Sequence, residues 1–377
     1  MQAYGAAYDL IKFGNPKELI LADAFPESIS KLKAFLEKHL KPQKLTALTL
    51  DAGDVDATAK AAMGCDLMLN TAPYKYALDI TKAAIKAKVP MVDLGGDTDM
   101  VLAQLKLSDE AKAAGITIIP DCGMGPGMTN ITVGHAMELL DTADEIITRD
   151  GGIPTNGKPP MNYHLVFSIE TLVNEYTGMT TQMRDGKFIN IAPMDEIEQC
   201  DLPVVGKVEA THGMGMLSTL PWTYQGRVKN LENKFVRYPG NLTLWKSLRD
   251  MGFFSREEIK TENGVFQPRA MTKALLENFL MPKGGEKDLS FIQTISKGHK
   301  DGKPVTIEHW ICDYSDPVTG LTSMQRTTGF TASMVGQMIV AGSIQEKGVL
   351  PPELAVPKMP FFEMIQTRGF EFKFTQR

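Results

Sequence analysis

The sequence predicts an α/β protein, in which a domain with a Rossmann-like parallel sheet is followed by a second domain of the α+β class. Two observations predict this fold. Short apolar strands alternate with helical segments over the first third of the chain, and each predicted strand ends in small or polar residues. Strands that alternate with helices at this spacing are typical of a parallel sheet covered by helices on both faces.

The chain begins part-way through a dinucleotide-binding βαβ unit. Residues 3–10 have the pattern of its helix, and residues 18–23 have that of its second strand, which ends in Asp23 about 20 positions after Ala3. A carboxylate at this position hydrogen-bonds the ribose of NAD and repels the 2′-phosphate of NADP, so the sequence favours NAD. The first strand and its glycine turn are missing from the pattern. We therefore expect the in-frame coding region before Met1 to encode a short apolar strand followed by Gly-x-Gly.

The elements that follow continue the alternation. The carboxyl ends of parallel strands lie along one edge of a sheet, where ligands bind in the crevice. The predicted strands are at residues 45–50, 67–70, 91–94 and 116–119, and the predicted helices are at 28–40, 76–87 and 102–114. The predicted cofactor-binding residues lie in the loops at this edge and at the start of the first helix: Ala3, Asp23, Ala24, Asp51, Ala52, Thr71, Ala72, Pro73, Leu94, Gly95, Cys122, Gly123, Met124 and Pro126.

The pattern changes after the glycine-rich residues 123–127. A helix at 128–140 leads into a strand at 146–149, and later alternating segments such as 305–314 predict a mixed or antiparallel sheet. A helix that begins near Thr331 is apolar over a wide face, so we expect it to pack back on the first domain. We predict a nucleotide-binding domain of residues 1–127 and about 326–377, and a second domain of residues 128–325.

Composition argues against several classes of protein. The net charge of −5 provides no basic surface for nucleic acid, and the apolar stretch at residues 330–344 is too short to span a bilayer. The four cysteines include no Cys-x-x-Cys pair and the six histidines no His-x-x-x-His pair, so we predict no metal site. Asp9 and Lys12 interrupt any signal-peptide pattern. We predict a cytoplasmic protein that binds a small molecule, and neither nucleic acid nor membrane.

Three short segments of the second domain combine cationic, aromatic and hydroxyl groups. They are residues 163–164, 211–212 and 237–238, which contain Tyr163, His212 and Arg237. The planar guanidinium of an arginine donates two parallel hydrogen bonds to a carboxylate. Arg237 is therefore a candidate for binding an acidic group of a substrate.

Five motifs occur in order along the whole chain: residues 92–96, 115–121, 125–128, 151–154 with Pro159 and Pro160, and 326–331. Together they resemble the saccharopine dehydrogenase superfamily, and within it the lysine 6-dehydrogenases. The resemblance implies a Rossmann domain, an inserted α+β domain for substrate binding and dimerisation, and a C-terminal helix that returns to the first domain. It also implies a homodimer or larger homo-oligomer that oxidises the ε-carbon of L-lysine with NAD, giving 2-aminoadipate 6-semialdehyde, ammonia and NADH.

The resemblance also implies roles for individual residues. Arg237 and Tyr238 match a turn that holds a substrate carboxylate in saccharopine reductases, and we place Tyr74 and Thr211 beside them as substrate-binding residues.

The oxidation requires a neutral amine, so a base must remove a proton from the lysine ε-ammonium, whose usual pKa is about 10.4. The candidate catalytic residues are His212 and Tyr163 as the base, with Asp93 or Asp121 orienting the amine.

Two alternatives stay open. Gly125 stands where saccharopine reductases carry an aspartate, which disfavours a saccharopine substrate. Reductive condensation of an amine with a keto acid, as in saccharopine or carboxynorspermidine formation, is nevertheless the alternative reaction. A non-catalytic dimeric relative that has lost its nucleotide loop is the alternative of another class.

Overall fold

The computed structural model describes residues 1–282 and 284–377, and its largest hydrophobic cluster contains residues of both halves of the chain. The helices are α1 (Ala3–Asp9), α2 (Pro26–His39), α3 (Val55–Ala62), α4 (Ala77–Ala87), α5 (Thr98–Leu105), α6 (Ser108–Ala114), α7 (Met128–Leu139), α8 (Ile169–Glu175), α9 (Leu220–Thr223), α10 (Asn241–Asp250), α11 (Pro268–Leu280), α12 (Ser323–Val340), α13 (Pro352–Ala355) and α14 (Lys358–Thr367). The strands are β1 (Leu19–Asp23), β2 (Leu45–Thr49), β3 (Met68–Asn70), β4 (Met91–Asp93), β5 (Thr117–Ile119), β6 (Thr142–Pro154), β7 (Thr180–Arg184), β8 (Lys187–Ile191), β9 (Glu198–Leu202), β10 (Gly206–Thr211), β11 (Val228–Arg237), β12 (Ile259–Thr261), β13 (Gly264–Phe266), β14 (Asp288–Lys300), β15 (Lys303–Tyr314), β16 (Gly348–Val349) and β17 (Glu371–Gln376).

The parallel sheet of the first domain is divided into two parts. β1 pairs in parallel with β2, with Leu19 opposite Leu45. A second part has the order β16-β5-β4-β3, and its strands are also parallel. Within the residues that the structure describes, β1 and β3 do not pair with each other. In the strand order of a dinucleotide-binding fold the first strand lies between these two neighbours, so the division falls where the sequence pattern lacks a strand.

The predicted helix at residues 102–114 is wrong in its extent, because two helices, α5 and α6, cover this stretch. The backbone N–H of Val349 in β16 donates to the hydroxyl of Ser108, the first residue of α6, at 3.1 Å. A strand that is distant in sequence thus binds at the break between the helices. Helical periodicity contains no information about such a contact.

The second domain is built on a mixed sheet, as predicted. Its strand order is β17-β15-β14-β6-β11-β10-β9, and the β7–β8 hairpin joins at β11. β6 and β11 are parallel, and the other pairs of this sheet are antiparallel. The long strand β6 crosses the middle of the sheet, and its residue Asp150 lies against Gly125 in the glycine-rich loop after β5.

Helix α12 begins earlier than the predicted start near Thr331. Its first turn is closed by a capping box, in which Thr322 and Gln325 each accept a hydrogen bond from the other's backbone N–H. This reciprocal bonding satisfies two backbone donors at the helix start. The helix therefore starts at Ser323.

Helix α12 packs closely against α1. A Cβ atom on Gly5 would lie 1.9 Å from the carbonyl oxygen of Gln325, and a Cβ atom on Gly329 would lie 2.4 Å from the nitrogen of Ala6. Glycine at both positions allows the two backbones to approach this closely. The contact brings the C-terminal helix onto the first domain.

The domain boundary near residue 326 stays a prediction. Helix α12 contacts α1, whereas the last strand, β17, pairs with β15 of the second sheet, with Ile307 opposite Gln376. Among the described helices, none combines the length and the apolar composition that crossing a membrane requires.

Candidate active site

A small cavity lies where the two domains meet. The loops that follow β4 and β5 form one wall, with Gly96, Gly125 and Pro126 at its surface. The opposite wall comes from α8 and from the loop after β10: Thr171, Asn174, Glu175, Met214, Gly215 and Met216. Ligands of parallel sheets bind outside the carboxyl ends of the strands, so this cavity is the candidate active site.

Asp93 joins the loops that follow β4 and β5. Its Oδ1 accepts hydrogen bonds from the backbone N–H groups of Gly95 and Asp121, both at 2.9 Å, and its Oδ2 accepts one from Gln104 at 2.6 Å. Burial raises the pKa of the Asp93 carboxyl, and these three hydrogen bonds act in the opposite direction. All of these contacts fix the loops, and the predicted role of Asp93 in orienting an amine stays a prediction.

Asp121 lies below the glycine loop that follows β4. A Cβ atom on Gly95 would lie 1.6 Å from the Asp121 Oδ1, so only glycine fits there. The hydroxyl of Ser218, from the second domain, donates to the Asp121 Oδ2. Burial, and then the charge of Asp93, raise the pKa of the Asp121 carboxyl well above its ordinary value.

Arg237 is buried beside the cavity-lining residue Glu175. Its Nη2 donates to the Glu175 Oε2 at 3.0 Å, and its Nε donates to the Tyr176 hydroxyl at 2.7 Å. The guanidinium carbon lies 4.7 Å from the centre of the Tyr163 ring and 4.6 Å from that of Phe235. The structure thus brings together Arg237 and Tyr163, which are distant in sequence.

Two groups at this arginine have perturbed acidity. Burial raises the pKa of Glu175 to about 7, even though the charge of Arg237 acts to lower it. Burial also raises the pKa of the Tyr163 hydroxyl, which has no hydrogen-bond partner among the described residues. Both shifts favour the protonated form of the group, and the predicted role of Tyr163 as the base stays a prediction.

Asp150 of β6 is a second buried carboxyl group next to the cavity. A Cβ atom on the cavity-lining Gly125 would lie 2.2 Å from the Asp150 Oδ2. Burial, and then the charge of Glu175, raise the pKa of Asp150 to about 7, while Asn233 and Arg237 act to lower it. Glu175 in the cavity lining and Asp150 behind Gly125 thus both have a pKa raised to about 7.

His212 is buried, and its contacts are with residues that do not line the cavity. Its Nε2 lies 3.0 Å from the Glu232 Oε2, and its Nδ1 lies 4.0 Å from the Glu196 Oε2. Burial acts to raise the pKa of Glu232, but hydrogen bonds with His212 and Arg184 lower it to about 2. The predicted role of His212 as the base stays a prediction.

The same three residues could offer ligand atoms to a metal ion, since atoms of Glu196, His212 and Glu232 lie within 4.8 Å of one another. Arg184 already donates hydrogen bonds to both carboxylates. The negative charge of this cluster is thus offset by cations of the chain itself, since Lys234 also lies 3.6 Å from the Glu232 Oε2.

The predicted substrate-binding residues are separated in the structure. The Tyr74 hydroxyl accepts a hydrogen bond at 3.0 Å from Asn174, which lines the cavity. The Thr211 hydroxyl instead accepts the Met194 N–H at 2.8 Å and donates to the Glu196 carbonyl. Tyr238 packs at the edge of a cluster around Val208 and Leu202 of the second domain.

The predicted cofactor-binding residues other than Ala3 follow the strands of the parallel sheet, and Ala3 begins α1. Asp23 ends β1, and its Oδ1 accepts the Phe25 N–H at 2.8 Å. Ala24 follows it, Asp51 and Ala52 follow β2, and Thr71, Ala72 and Pro73 follow β3. The exposed Asp23 carboxylate fits the ribose hydroxyls of a dinucleotide, because these need a hydrogen-bond acceptor at this strand end.

The loop after β5 holds the remaining predicted cofactor residues. A Cβ atom on Gly123 would lie 3.0 Å from the Pro126 carbonyl oxygen and 3.1 Å from that of Leu94, so two loops cross closely here. Met124 and Cys122 are buried beneath this crossing. Burial, followed by the charges of the nearby aspartates, raises the pKa of the Cys122 thiol well above its ordinary value, which disfavours the reactive thiolate form.

A parallel nucleotide-binding sheet whose strand ends face a buried acidic cavity defines a nucleotide-dependent oxidoreductase. The family models agree with this class. Residues 3–119 match the saccharopine dehydrogenase NADP binding domain, and residues 123–370 match the saccharopine dehydrogenase C-terminal domain. The chain belongs to the saccharopine dehydrogenase family, and the predicted superfamily and fold class are confirmed.

Similar proteins cover nearly the whole chain. Carboxynorspermidine synthase of Vibrio cholerae is 26% identical over 91% of this chain and 87% of its own length. The NADP-dependent, L-glutamate-forming saccharopine dehydrogenase of Pyricularia oryzae is 22% identical over 92% and 91%. The apo saccharopine dehydrogenase structure from Saccharomyces cerevisiae superposes with a TM-score of 0.79 at 17% identity, covering 100% of this chain and 98% of that one. The predicted homo-oligomer stays a prediction.

Sequence reasoning did not identify Glu175, Asp150 or Ser218 as site residues. Glu175 ends a short amphipathic helix, where a glutamate is normally exposed. Asp150 offered a better signal, because it is a charged residue within a strand that continues into Gly151 and Gly152. A charge in a buried strand is rare unless it is paired or functional.

Proposed function

We propose that this protein is an NAD-dependent amine dehydrogenase that oxidises the ε-carbon of L-lysine to 2-aminoadipate 6-semialdehyde, releasing ammonia. The observation that carries the proposal is the pair of carboxyl groups at the cavity: Glu175 lines it, and Asp150 is buried behind its wall at Gly125. Carboxylates form charge-assisted hydrogen bonds with ammonium groups, so this pair suits an amine substrate.

The charges around the cavity support an amine substrate. Asp121 and Asp150 are buried carboxyl groups, Glu175 is a partly buried one, and Arg237 is the cation paired with Glu175. An ammonium group entering this region would be attracted by the excess of carboxyl groups. Arg237 has further N–H donors beyond the three that it uses, and these suit the α-carboxylate of an amino acid.

The reaction needs proton handling as well as binding. The ε-ammonium must first lose a proton, and a carboxyl group with a pKa of about 7 accepts protons far better than an ordinary carboxylate. A hydride then leaves the ε-carbon, water adds to the resulting iminium, and ammonia departs. When bound, the nicotinamide supplies the hydride acceptor.

Residues on the first domain support NAD as the cofactor. Asp23 would accept hydrogen bonds from the adenosine ribose, and its charge would repel a 2′-phosphate. The matching family model is named for NADP binding, and the related Legionella pneumophila homospermidine synthase structure contains NAD. The choice of cofactor therefore rests on Asp23.

A second candidate is reductive condensation of an amine with a carbonyl compound. The names of two relatives favour it: carboxynorspermidine synthase, and carboxyaminopropylagmatine dehydrogenase of Synechocystis, which is 23% identical over 88% of this chain. This reaction would use the same acidic cavity to bind an amine, and it would run toward oxidation of the reduced cofactor.

Initial rates with a substrate panel test the proposal. NADH should form from NAD with L-lysine alone, and more slowly with L-ornithine. Formation of NADH only with saccharopine would contradict the lysine assignment, as would turnover only when NAD(P)H, an amine and a keto acid or semialdehyde are combined. Absence of any thermal shift with either dinucleotide would favour the non-catalytic alternative.

A further inference from the structure

The Asp150 side chain lies against Gly125, a residue of the cavity wall. The ideal Cβ position of Gly125 is 2.2 Å from the Asp150 Oδ2 and 3.4 Å from the Met216 Cε. Gly125 and Met216 both line the cavity. The Asp150 carboxylate therefore occupies the space that a side chain at position 125 would fill, and the absence of that side chain leaves it beside the cavity.

Asp150 has no hydrogen-bonding role in the fold that would explain its burial. Among the described residues, no polar group is in hydrogen-bonding geometry with either carboxylate oxygen of Asp150. The Asn233 amide is close enough to lower the pKa of Asp150, but its hydrogen bond at 2.6 Å is to the Thr148 hydroxyl. A buried, unpartnered carboxyl group destabilises a protein, so its presence beside a cavity indicates a ligand.

The charges near Asp150 indicate the kind of ligand. Burial is the main cause of the raised pKa of Asp150, the charge of Glu175 adds to it, and Arg237 opposes it. Arg237 forms its ion pair with Glu175 at 3.0 Å, which leaves Asp150 without a cationic partner in the described chain. A ligand that pairs with Asp150 would therefore be a small cation that can donate hydrogen bonds.

We propose that Asp150 binds the reacting ammonium group of the substrate at the Gly125 edge of the cavity, and accepts its proton. The inference rests on the proposed function and names primary alkylamines as the ligand class of this site. One proton passes from nitrogen to a carboxylate oxygen, giving a neutral amine and a carboxylic acid, and the proton later leaves to solvent. The neutral amine then has the lone pair that oxidation of the adjacent carbon requires.

Binding of L-lysine and L-norleucine, measured by calorimetry in the presence of NADH so that lysine is not oxidised, tests the proposal. L-norleucine has a methyl group where lysine has its ε-ammonium group, so the ratio of the two dissociation constants isolates the contribution of the ammonium. The wild-type protein should prefer lysine by roughly tenfold or more, and Asp150→Asn should abolish most of this preference. Asp144→Asn, on an exposed part of the same strand, should leave it unchanged.

A compensating pair of substitutions distinguishes a loss of lysine binding at this site from a general loss of folding. Gly125→Ala should weaken lysine binding, because its methyl group would displace the Asp150 carboxylate. Gly125→Asp combined with Asp150→Ala returns a carboxylate to the same space from the opposite side and should restore the preference for lysine. The Gly125 backbone is outside the positive-φ region, so other residues can occupy this position.

The outcomes distinguish this proposal from the proposed function. An unchanged preference for lysine in Asp150→Asn, or no preference in the wild-type protein, would overturn the proposal. If lysine binding depends on Asp150 but NADH never forms, the amine site stands and the oxidation of lysine fails. If NADH forms equally fast in Asp150→Asn and in the wild-type protein, the function stands and the role of Asp150 fails.

Discussion

The hydroxyl of Ser218 donates a hydrogen bond to the Asp121 carboxylate, and both residues are buried at the junction of the two domains. Asp121 follows β5 of the nucleotide-binding sheet, and Ser218 lies in the loop after β10 of the second domain. This bond therefore connects the two walls of the candidate active site. The Asp93 carboxylate in turn accepts a hydrogen bond from the backbone N–H of Asp121. This bond fixes the backbone of Asp121 and so the position of its side-chain carboxylate.

Replacing Ser218 with alanine should destabilise the protein by about 1 to 3 kcal/mol, because a buried carboxyl group loses its hydrogen-bond donor. Urea unfolding at neutral pH measures the effect. Ser30→Ala is a matched control, since the Ser30 hydroxyl is exposed and bonds only within its own helix. Equal stability of the two variants would show that the Ser218 bond contributes nothing to the domain junction.

Arg237→Lys should raise the apparent substrate constant about tenfold or more and leave NAD affinity nearly unchanged. Lysine keeps the positive charge but cannot bond Glu175, Tyr176 and a substrate carboxylate at once. Steady-state kinetics and NAD titration measure the two quantities. Arg256→Lys, at an exposed arginine, should behave as wild type. An unchanged substrate constant in Arg237→Lys would remove Arg237 from the substrate site.

Asp23→Ser combined with Ala24→Arg should shift cofactor preference toward NADP. The pair removes a charge that repels the 2′-phosphate and adds one that attracts it. The ratio of kcat/KM for NAD to that for NADP measures the shift. If both cofactors lose affinity equally and the melting temperature falls, Asp23 supports the loop through its bond to the Phe25 N–H instead.

Asp150→Asn should stabilise the protein at pH 8 relative to the wild type, and this difference should vanish near pH 4. The pKa of Asp150 rises from 3.8 to about 7 on folding, so between these values the folded protein holds a proton that the unfolded chain releases. The contribution of this group is fully present below pH 4 and is lost as pH rises through about 7. Melting temperatures of the two proteins from pH 4 to 8 measure the difference, and a constant difference would contradict the raised pKa.

Gly329→Ala should destabilise the protein by about 1 to 3 kcal/mol, although alanine favours a helix more than glycine does. The added methyl group would lie 2.4 Å from the Ala6 nitrogen and force α12 away from α1. Gly53→Ala is the control, because its methyl group would have only ordinary contacts, the closest at 3.4 Å. Thermal unfolding of both variants measures the effect, and a more stable Gly329→Ala would show that the helices separate easily.

Much of the fold could be predicted from local patterns. The strands ending at Asp23, Asn70 and Asp93 alternate with helices, and their apolar residues and polar ends identify them without tertiary information. The family motifs identified the superfamily for the same reason, since they lie in continuous segments. The break between α5 and α6 could not be predicted, because it depends on a bond between Ser108 and the distant Val349.

The candidate site was predictable only in part. Arg237, Tyr163 and Asp121 were identifiable from the sequence alone as residue types suited to a substrate site. The sequence alone also determined the ends of the strands and the family. The tertiary structure decided which of these side chains meet: it placed Glu175 against Arg237, Asp150 in the space beside Gly125, and His212 among Glu196 and Glu232. The physical reason is that periodicity records which face of an element is apolar. The pKa and the partner of a buried charge depend on neighbours that come from other parts of the chain.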